Sequence, residues 1–303
     1  FAHGVNIAGE FHLTPHYVYD FNNWYVDAGI RLAKIMRSDA PQGMFSTKGQ
    51  IVYPDVYAFY TVLQQFRIYT RLTGGNRMNT YASLLDENHH FDAEFGRGIW
   101  PLMDITVERI GASLGFKGSV SRFNYDLSGG YVNYALAPLD AMVVSSPFAD
   151  GGLEYLPGIG YAGYQKAFAA MTLQWKSEDL RADAKVAYDY VFGLKEADGL
   201  FAPAALNAEA AVEYNWSKRI YAGVDCILRT ERKGSVLDLS QGQQTYDAVI
   251  PGYVDLGAYF EYAFADSFSL WARGGNLLNM TIQRNPLYAE KGVNFTVGIC
   301  LNL

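Results

Sequence analysis

Residues 291–303, KGVNFTVGICLNL, alternate apolar and polar side chains up to the last residue. Val293, Phe295, Val297, Ile299, Leu301 and Leu303 fall on one side of an extended chain, and Asn294, Thr296, Gly298, Cys300 and Asn302 on the other, because successive strand side chains point to opposite faces. A half-buried soluble sheet shows the same alternation. A barrel with lipid outside and water inside requires it on every strand, so the reach of the pattern through the chain decides the fold.

The pattern extends far toward the N-terminus. Residues 252–263 and 267–278 alternate in the same way, and the pair 205–215 and 219–229 forms a hairpin around Ser217 and Lys218. In its first arm Leu206, Ala208, Ala210, Val212, Tyr214 and Trp216 oppose Asn207, Glu209, Glu213 and Asn215; in its second, Ile220, Ala222, Val224, Cys226 and Leu228 oppose Asp225 and Arg229. Met171, Leu173 and Trp175 oppose Thr172, Gln174 and Lys176, and Ala182, Ala184, Val186, Tyr188 and Tyr190 oppose Arg181, Asp183, Lys185 and Asp189. A basic residue on a lipid face costs about 2–4 kcal/mol at the membrane midplane, so the charged side is assigned to the lumen. Phe123, Tyr125 and Leu127 against Asn124 and Asp126, and Trp24, Val26, Ala28, Ile30 and Leu32 against Asp27 and Arg31, continue the series. Val5 and Ile7 begin an opening strand, while residues 52–63 are apolar on both faces and leave their direction open.

Composition agrees with this reading. Half of the 303 residues are hydrophobic, with 23 Tyr, 18 Phe and 30 Gly. Membrane barrels place aromatic girdles at both boundaries and glycines where strands turn or pack closely. No apolar run reaches the roughly 18 residues of a membrane helix. The net charge of -7 argues against a nucleic-acid partner, for which a concentrated basic surface is needed. Two cysteines, Cys226 and Cys300, fall on opposite faces and supply neither a disulfide framework nor a thiolate metal site.

Connections alternate in length: tight near Gln64, Lys117, Ser177, Ser217 and Asp266, long at 38–50, 74–101, 137–160, 232–251 and 280–290. Short periplasmic turns and long extracellular loops are the asymmetry of bacterial outer-membrane barrels. The expected fold is therefore all-β, one transmembrane antiparallel β-barrel domain over residues 1–303 in the bacterial outer membrane, with outer-membrane lipid as its surrounding partner. About thirteen strands are visible, and the first and last point the same way. An all-antiparallel ring does not close on that count, so about fourteen are expected, the further strand lying near residues 142–145 or ahead of Phe1. The start at Phe1, without an initiator methionine or signal peptide, reads as a processed or truncated end.

The C-terminal residues also carry a family likeness. Leu270-Trp271-Ala272-Arg273-Gly274-Gly275-Asn276-Leu277-Leu278-Asn279, a loop containing Tyr288, and then Lys291-Gly292-Val293-Asn294-Phe295-Thr296-Val297-Gly298-Ile299 resemble the terminal hairpin of TonB-dependent receptor-like barrels. The resemblance implies an outer-membrane barrel engaged in solute uptake. Complete members have 22 strands, a plug domain and a segment that recruits an energy-transducing partner; this chain shows no counterpart of the plug, so no substrate class is carried over. The alternative is a non-transporting accessory or scaffold subunit that docks other outer-membrane or periplasmic proteins.

Candidate functional residues are the inward charges Arg181, Asp183, Lys185, Asp189, Glu209, Glu213, Asp225, Arg229, Asp255 and Glu261. They either line a conducting lumen or pair across strands and seal it; their mixed signs favour pairing. Asp86, Glu87, His89, His90, Asp92 and Glu94 form an acidic, histidine-bearing run, but adjacent histidines on one strand point apart and such loops are usually solvated, so no metal is expected. All five histidines lie in the first third of the chain without a catalytic motif; neither catalysis nor a cofactor is expected.

Overall fold

The computed structural model describes residues 8–37, 51–90, 104–145, 152–194, 199–240, 242–265 and 267–301. Val5, Ile7, the 38–50 connection, Asp92, Glu94 and Leu303 lie outside the described residues. The elements are β1 (Ala8–Leu13), β2 (His16–Phe21), β3 (Trp24–Arg37), β4 (Val52–Leu63), β5 (Phe66–Met78), α1 (Tyr81–Glu87), β6 (Ile105–Val120), β7 (Phe123–Ser145), β8 (Glu154–Lys176) and β9 (Leu180–Phe192). They continue as β10 (Leu206–Trp216), β11 (Ile220–Arg229), β12 (Arg232–Asp238), β13 (Gln244–Ile250), β14 (Tyr253–Ala265), β15 (Phe268–Gly275), β16 (Gln283–Asn285), β17 (Tyr288–Ala289) and β18 (Asn294–Leu301).

Sixteen strands form one sheet, in which every neighbour along the main path β1-β3-β4-β5-β6-β7-β8-β9-β10-β11-β14-β15-β18 pairs antiparallel. β1 and β2 both pair with β3 and act as one strand broken at Pro15, whose missing N–H removes a ladder bond; its carbonyl still accepts from Ile30 N at 3.1 Å. The path therefore has thirteen members, with the β12–β13 hairpin beside it. Its first and last strands run in the same direction, toward the end where the turns are short.

The register places the predicted faces on opposite sides of the sheet. Val212, Val224, Phe260 and Leu270 form an exposed apolar outer surface, as do Leu114, Tyr188 and Tyr190. β4 acquires a direction: Tyr25↔Phe59, Asp27↔Tyr57 and Arg31↔Tyr53 put the odd-numbered residues of β4 on the inner face. The turn at Ser217 and Lys218 has φ of 53° and 58°, the left-handed pair that matches a hairpin's twist.

The long-loop end departs from the sequence expectation. Residues 137–145 and 154–160 are strand rather than loop: β7 and β8 each run 23 residues, about twice the 9–11 needed to cross a membrane. The 142–145 segment is the end of β7 rather than a separate strand. The 74–101 connection begins only after β5 ends at Met78 and includes α1, the 232–251 connection is the β12–β13 hairpin, and a further long connection joins β9 to β10. β6 accompanies β7 only to Leu136. Beyond it, the vacated edge of β7 is taken by Gly199–Phe201, with Met142 N donating to Gly199 O at 2.8 Å and Phe201 N to Asp140 O at 2.9 Å, and by parallel pairing with β12 at Leu237↔Val143 and Asp238↔Val144. This satisfies backbone groups that an open edge would leave free.

The buried residues concentrate at this end. Ala137, Leu139, Ala141, Ala162, Tyr164 and Leu200 form one cluster, Val144, Phe201, Val236 and Ile250 a second, and Leu84 of α1 packs on Ile159 in a third. The ladder nearer the short turns keeps its apolar side chains exposed on one face, whereas the projecting part carries a packed apolar core of the kind found in water-soluble domains.

Candidate functional site

The register puts all ten predicted charges on one face of the sheet, labelled the inner face. Lys185 stands directly opposite Glu209, Arg181 opposite Glu213, and Asp225 opposite Ala211. Ion pairs form along and across strands: Arg181 Nε to Asp183 Oδ2 at 2.7 Å, Lys166 Nζ to Asp189 Oδ2 at 3.1 Å, Arg273 Nη2 to Asp225 Oδ1 at 3.4 Å, and Arg284 Nη2 to Asp255 Oδ2 at 3.1 Å. Tyr259 donates its hydroxyl to Glu261. Three of the ion-pair partners, Lys166, Arg273 and Arg284, are outside the predicted set. The first two alternate in phase with it; Arg284 arrives from a connection, where period-two reading has no purchase.

Arg229 has a different setting. It faces a cavity of about 270 Å³ at the long-loop end, lined among others by Glu87, Pro138, Asp140, Tyr164, Asn207, Thr230, Arg232, Tyr253 and Arg284. Asn207 is its cross-strand neighbour. The Arg229 Nε is buried and has no hydrogen-bond partner among the described residues.

One carboxylate organises the wall of this cavity. Asp140 Oδ1 accepts from Asn88 Nδ2 at 2.9 Å and from Asn285 Nδ2 at 3.3 Å, and Asp140 Oδ2 accepts from Arg232 Nη1 at 2.6 Å. Arg232 also donates to the carbonyls of Ala202 (3.0 Å) and Arg284 (3.2 Å). The connections after β5, β9, β11 and β15 thus meet on one acid of β7. Local chemistry sets up their approach: the Thr80 hydroxyl caps α1 by accepting from Ser83 N at 3.2 Å, and the Ser83 hydroxyl accepts from Thr80 N at 3.0 Å, satisfying two orphan donors of the first turn.

Glu87 stands at the rim. Loss of hydration raises its pKa above the ordinary glutamate value; Arg77 opposes the rise and Asp140 adds to it. Of the histidine-bearing run, His90 stacks on Tyr288 at 3.6 Å between ring centroids and Asn88 binds Asp140. The arrangement ties α1 and its neighbourhood to the β15–β18 connection. Arg232 is neutralised by Asp140, and Arg284 by Asp255 and Glu290; among the described residues Arg229 forms no ion pair, and it lines the cavity beside Asn207 and Thr230.

In the terminal hairpin that carries the family likeness, Trp271 lies opposite Gly298. A Cβ on Gly298 would meet Trp271 Cζ2 at 2.5 Å, so the glycine is required by the ring lying over it.

No protein-family model matches the chain. No curated protein sequence matches it. Among solved structures, it is similar to the siderophore receptor PirA from Acinetobacter baumannii (11% identity, TM-score 0.63, covering 98% of this chain and 46% of that one). It is also similar to a variant of the ferric enterobactin receptor PfeA from Pseudomonas aeruginosa (12%, 0.64, 97% and 45%) and to the pyoverdine receptor FpvA from Pseudomonas aeruginosa PAO1 (11%, 0.65, 98% and 42%). The chain spans less than half the length of each, and at this identity the likeness defines the fold: that of the outer-membrane barrels of TonB-dependent siderophore receptors.

Proposed function

We propose that this chain works in the bacterial outer membrane as a receptor-like uptake barrel, its long-loop end extracellular. The cavity around Arg229 first holds a polar solute, and the inner-face charges from Arg181 to Glu261 line the route onward. The observation that carries the reading is the convergence of four connections on Asp140 around that cavity. A purely structural wall has no need of a gathered loop end with an arginine whose Nε is buried without a partner beside a partly open cavity, whereas a binding site is a concave surface with a few placed polar groups. Of the solved structures with this fold, one is described as a ferric enterobactin receptor and another as a pyoverdine outer membrane receptor bound to pyoverdine, and solute uptake is the activity we assign here by that likeness.

Single-channel recording of the purified protein in planar bilayers tests the reading. Steady conductance, reduced when Arg229 is changed to Gln or when a solute occupies the cavity, supports uptake. A sealed lumen together with stoichiometric co-purification of other outer-membrane proteins supports the accessory-subunit alternative and overturns uptake.

A further inference from the structure

At the opposite, short-turn end of the inner face, two like charges stand directly against each other. Arg67 of β5 and Lys117 of β6 are register partners, and Arg71 follows on the same face of β5. Like charges so placed destabilise a sheet. What holds them is aromatic rather than acidic. The Arg67 guanidinium lies over Phe59 at 5.0 Å and that of Arg71 over Tyr57 at 5.4 Å; the Lys117 ammonium is 5.9 Å from Tyr57 and 5.4 Å from Tyr69. Lys117 Nζ also donates to the Tyr57 hydroxyl at 3.3 Å. Among the described residues none of the three cations forms an ion pair.

The carboxylate that could neutralise them is otherwise engaged. Asp126 is the register partner of Lys117 on β7, but its Oδ1 accepts the Tyr69 hydroxyl at 2.6 Å. Tyr69 can lie across β6 because Gly115 is opposite it: a Cβ there would fall 2.5 Å from Tyr69 Cζ. Three cations against one carboxylate leave about two positive charges uncompensated, in a chain whose net charge is -7. Beside them opens a cavity of about 390 Å³ lined by Arg67, Lys117, Asp126, Asn124, Thr172 and Gln174, with Arg71 outside the lining. The amide and hydroxyl side chains can donate hydrogen bonds to an anion.

We propose that this cavity is a binding site for a small soluble multivalent oxyanion, a phosphate or pyrophosphate group, bridged between Arg67 and Lys117. An arginine fork grips two oxygens of such a group while a lysine acts as a point charge. The lining, two cations against Asp126, is net positive, and Arg71 over the Tyr57 ring adds to that field, which favours a multivalent anion over a monocarboxylate. The site is distinct from the Arg229 cavity at the other end of the sheet and does not depend on the uptake reading.

The test is isothermal titration calorimetry of the whole chain in detergent micelles, with sodium pyrophosphate as probe and benzoate for comparison. The expected result is saturable pyrophosphate binding that weakens as salt is raised, with little heat from benzoate. Arg67→Gln and Lys117→Gln each weaken it by at least about tenfold, Lys117→Arg restores most of it, and Lys233→Gln, an exposed lysine at the far end, leaves it unchanged. Folding of each variant is checked by its heat-modifiable mobility on a gel. Acetic anhydride labelling of the unaltered protein, read by mass spectrometry, gives a second measurement in which pyrophosphate slows acetylation of Lys117. Absence of saturable binding, binding undiminished in either Arg67→Gln or Lys117→Gln, loss of binding in Lys233→Gln, or labelling of Lys117 that ignores pyrophosphate each overturns the site.

Discussion

The Arg232 guanidinium meets the Asp140 carboxylate at 2.6 Å, with side chains only 16% and 11% exposed. Removing one partner from such a pair leaves a charge without compensation and costs about 3–5 kcal/mol. Arg232→Ala should therefore loosen the long-loop end while sparing the membrane ladder. Amide exchange should accelerate at Gly199–Phe201 and along β12 and remain slow in β10 and β11. The double change Arg232→Met with Asp140→Leu, which removes both charges, should cost less than Arg232→Ala alone; equal or greater loss would deny the pair its organising role.

Glu87 should make α1 docking depend on pH. Its folded pKa lies above the ordinary glutamate value, chiefly through loss of hydration, so between the two values the folded state holds more proton than the unfolded one. In that window stability falls as pH rises. Acidifying from neutrality should thus strengthen protection of Leu84 to Asn88 as pH passes down through the folded pKa. The comparison is the ratio of exchange protection in the native protein to that in Glu87→Gln, which cancels the intrinsic pH dependence of exchange. A ratio flat across acid pH would contradict the prediction.

Gly298→Ala should strain the terminal hairpin, because the added methyl group lies 2.5 Å from Trp271 Cζ2 and 2.8 Å from Nε1. Overpacking of this kind costs about 1–3 kcal/mol, read as a lower temperature for loss of the folded band in heat-modifiable electrophoresis. Trp271→Phe in the same chain should recover part of the loss. If the double variant is as unstable as the sum of the two single changes, the ring is not what the glycine accommodates.

The barrel wall was legible in the sequence because its physics is periodic. One face of each crossing strand meets lipid and the other meets polar surroundings, so Leu206 to Trp216 and Asn294 to Leu301 announce themselves by alternation alone. The direction of Val52 to Leu63 was not legible, since aromatic Tyr53, Tyr57 and Phe59 on the inner face are balanced by Val56, Ala58 and Tyr60 outside; pairing with Tyr25 and Asp27 resolves it. The loop-end cavity was hidden for another reason. Asp140, Asn88, Arg232 and Asn285 are joined by contacts spanning up to 145 residues, and no local spacing carries such a relation. Arg67 was readable as inward, but Lys117 falls where the sequence points to a tight connection, whereas β6 continues to Val120; their opposition depends on the β5–β6 register.

The assignment of faces itself can be tested with two neighbouring residues. Leu114 points outward and is 62% exposed, while Ser113 points inward, opposite Arg71 on one side and Gly130 on the other. Arginine at a lipid-facing midplane position costs about 2–4 kcal/mol, and much less where water reaches it. Leu114→Arg should lower the urea concentration needed to unfold the protein in lipid vesicles by an amount matching that cost. Ser113→Arg should have a smaller effect, limited to repulsion from Arg71. If Ser113→Arg is the more damaging of the two, the face called inner here is the one that meets lipid.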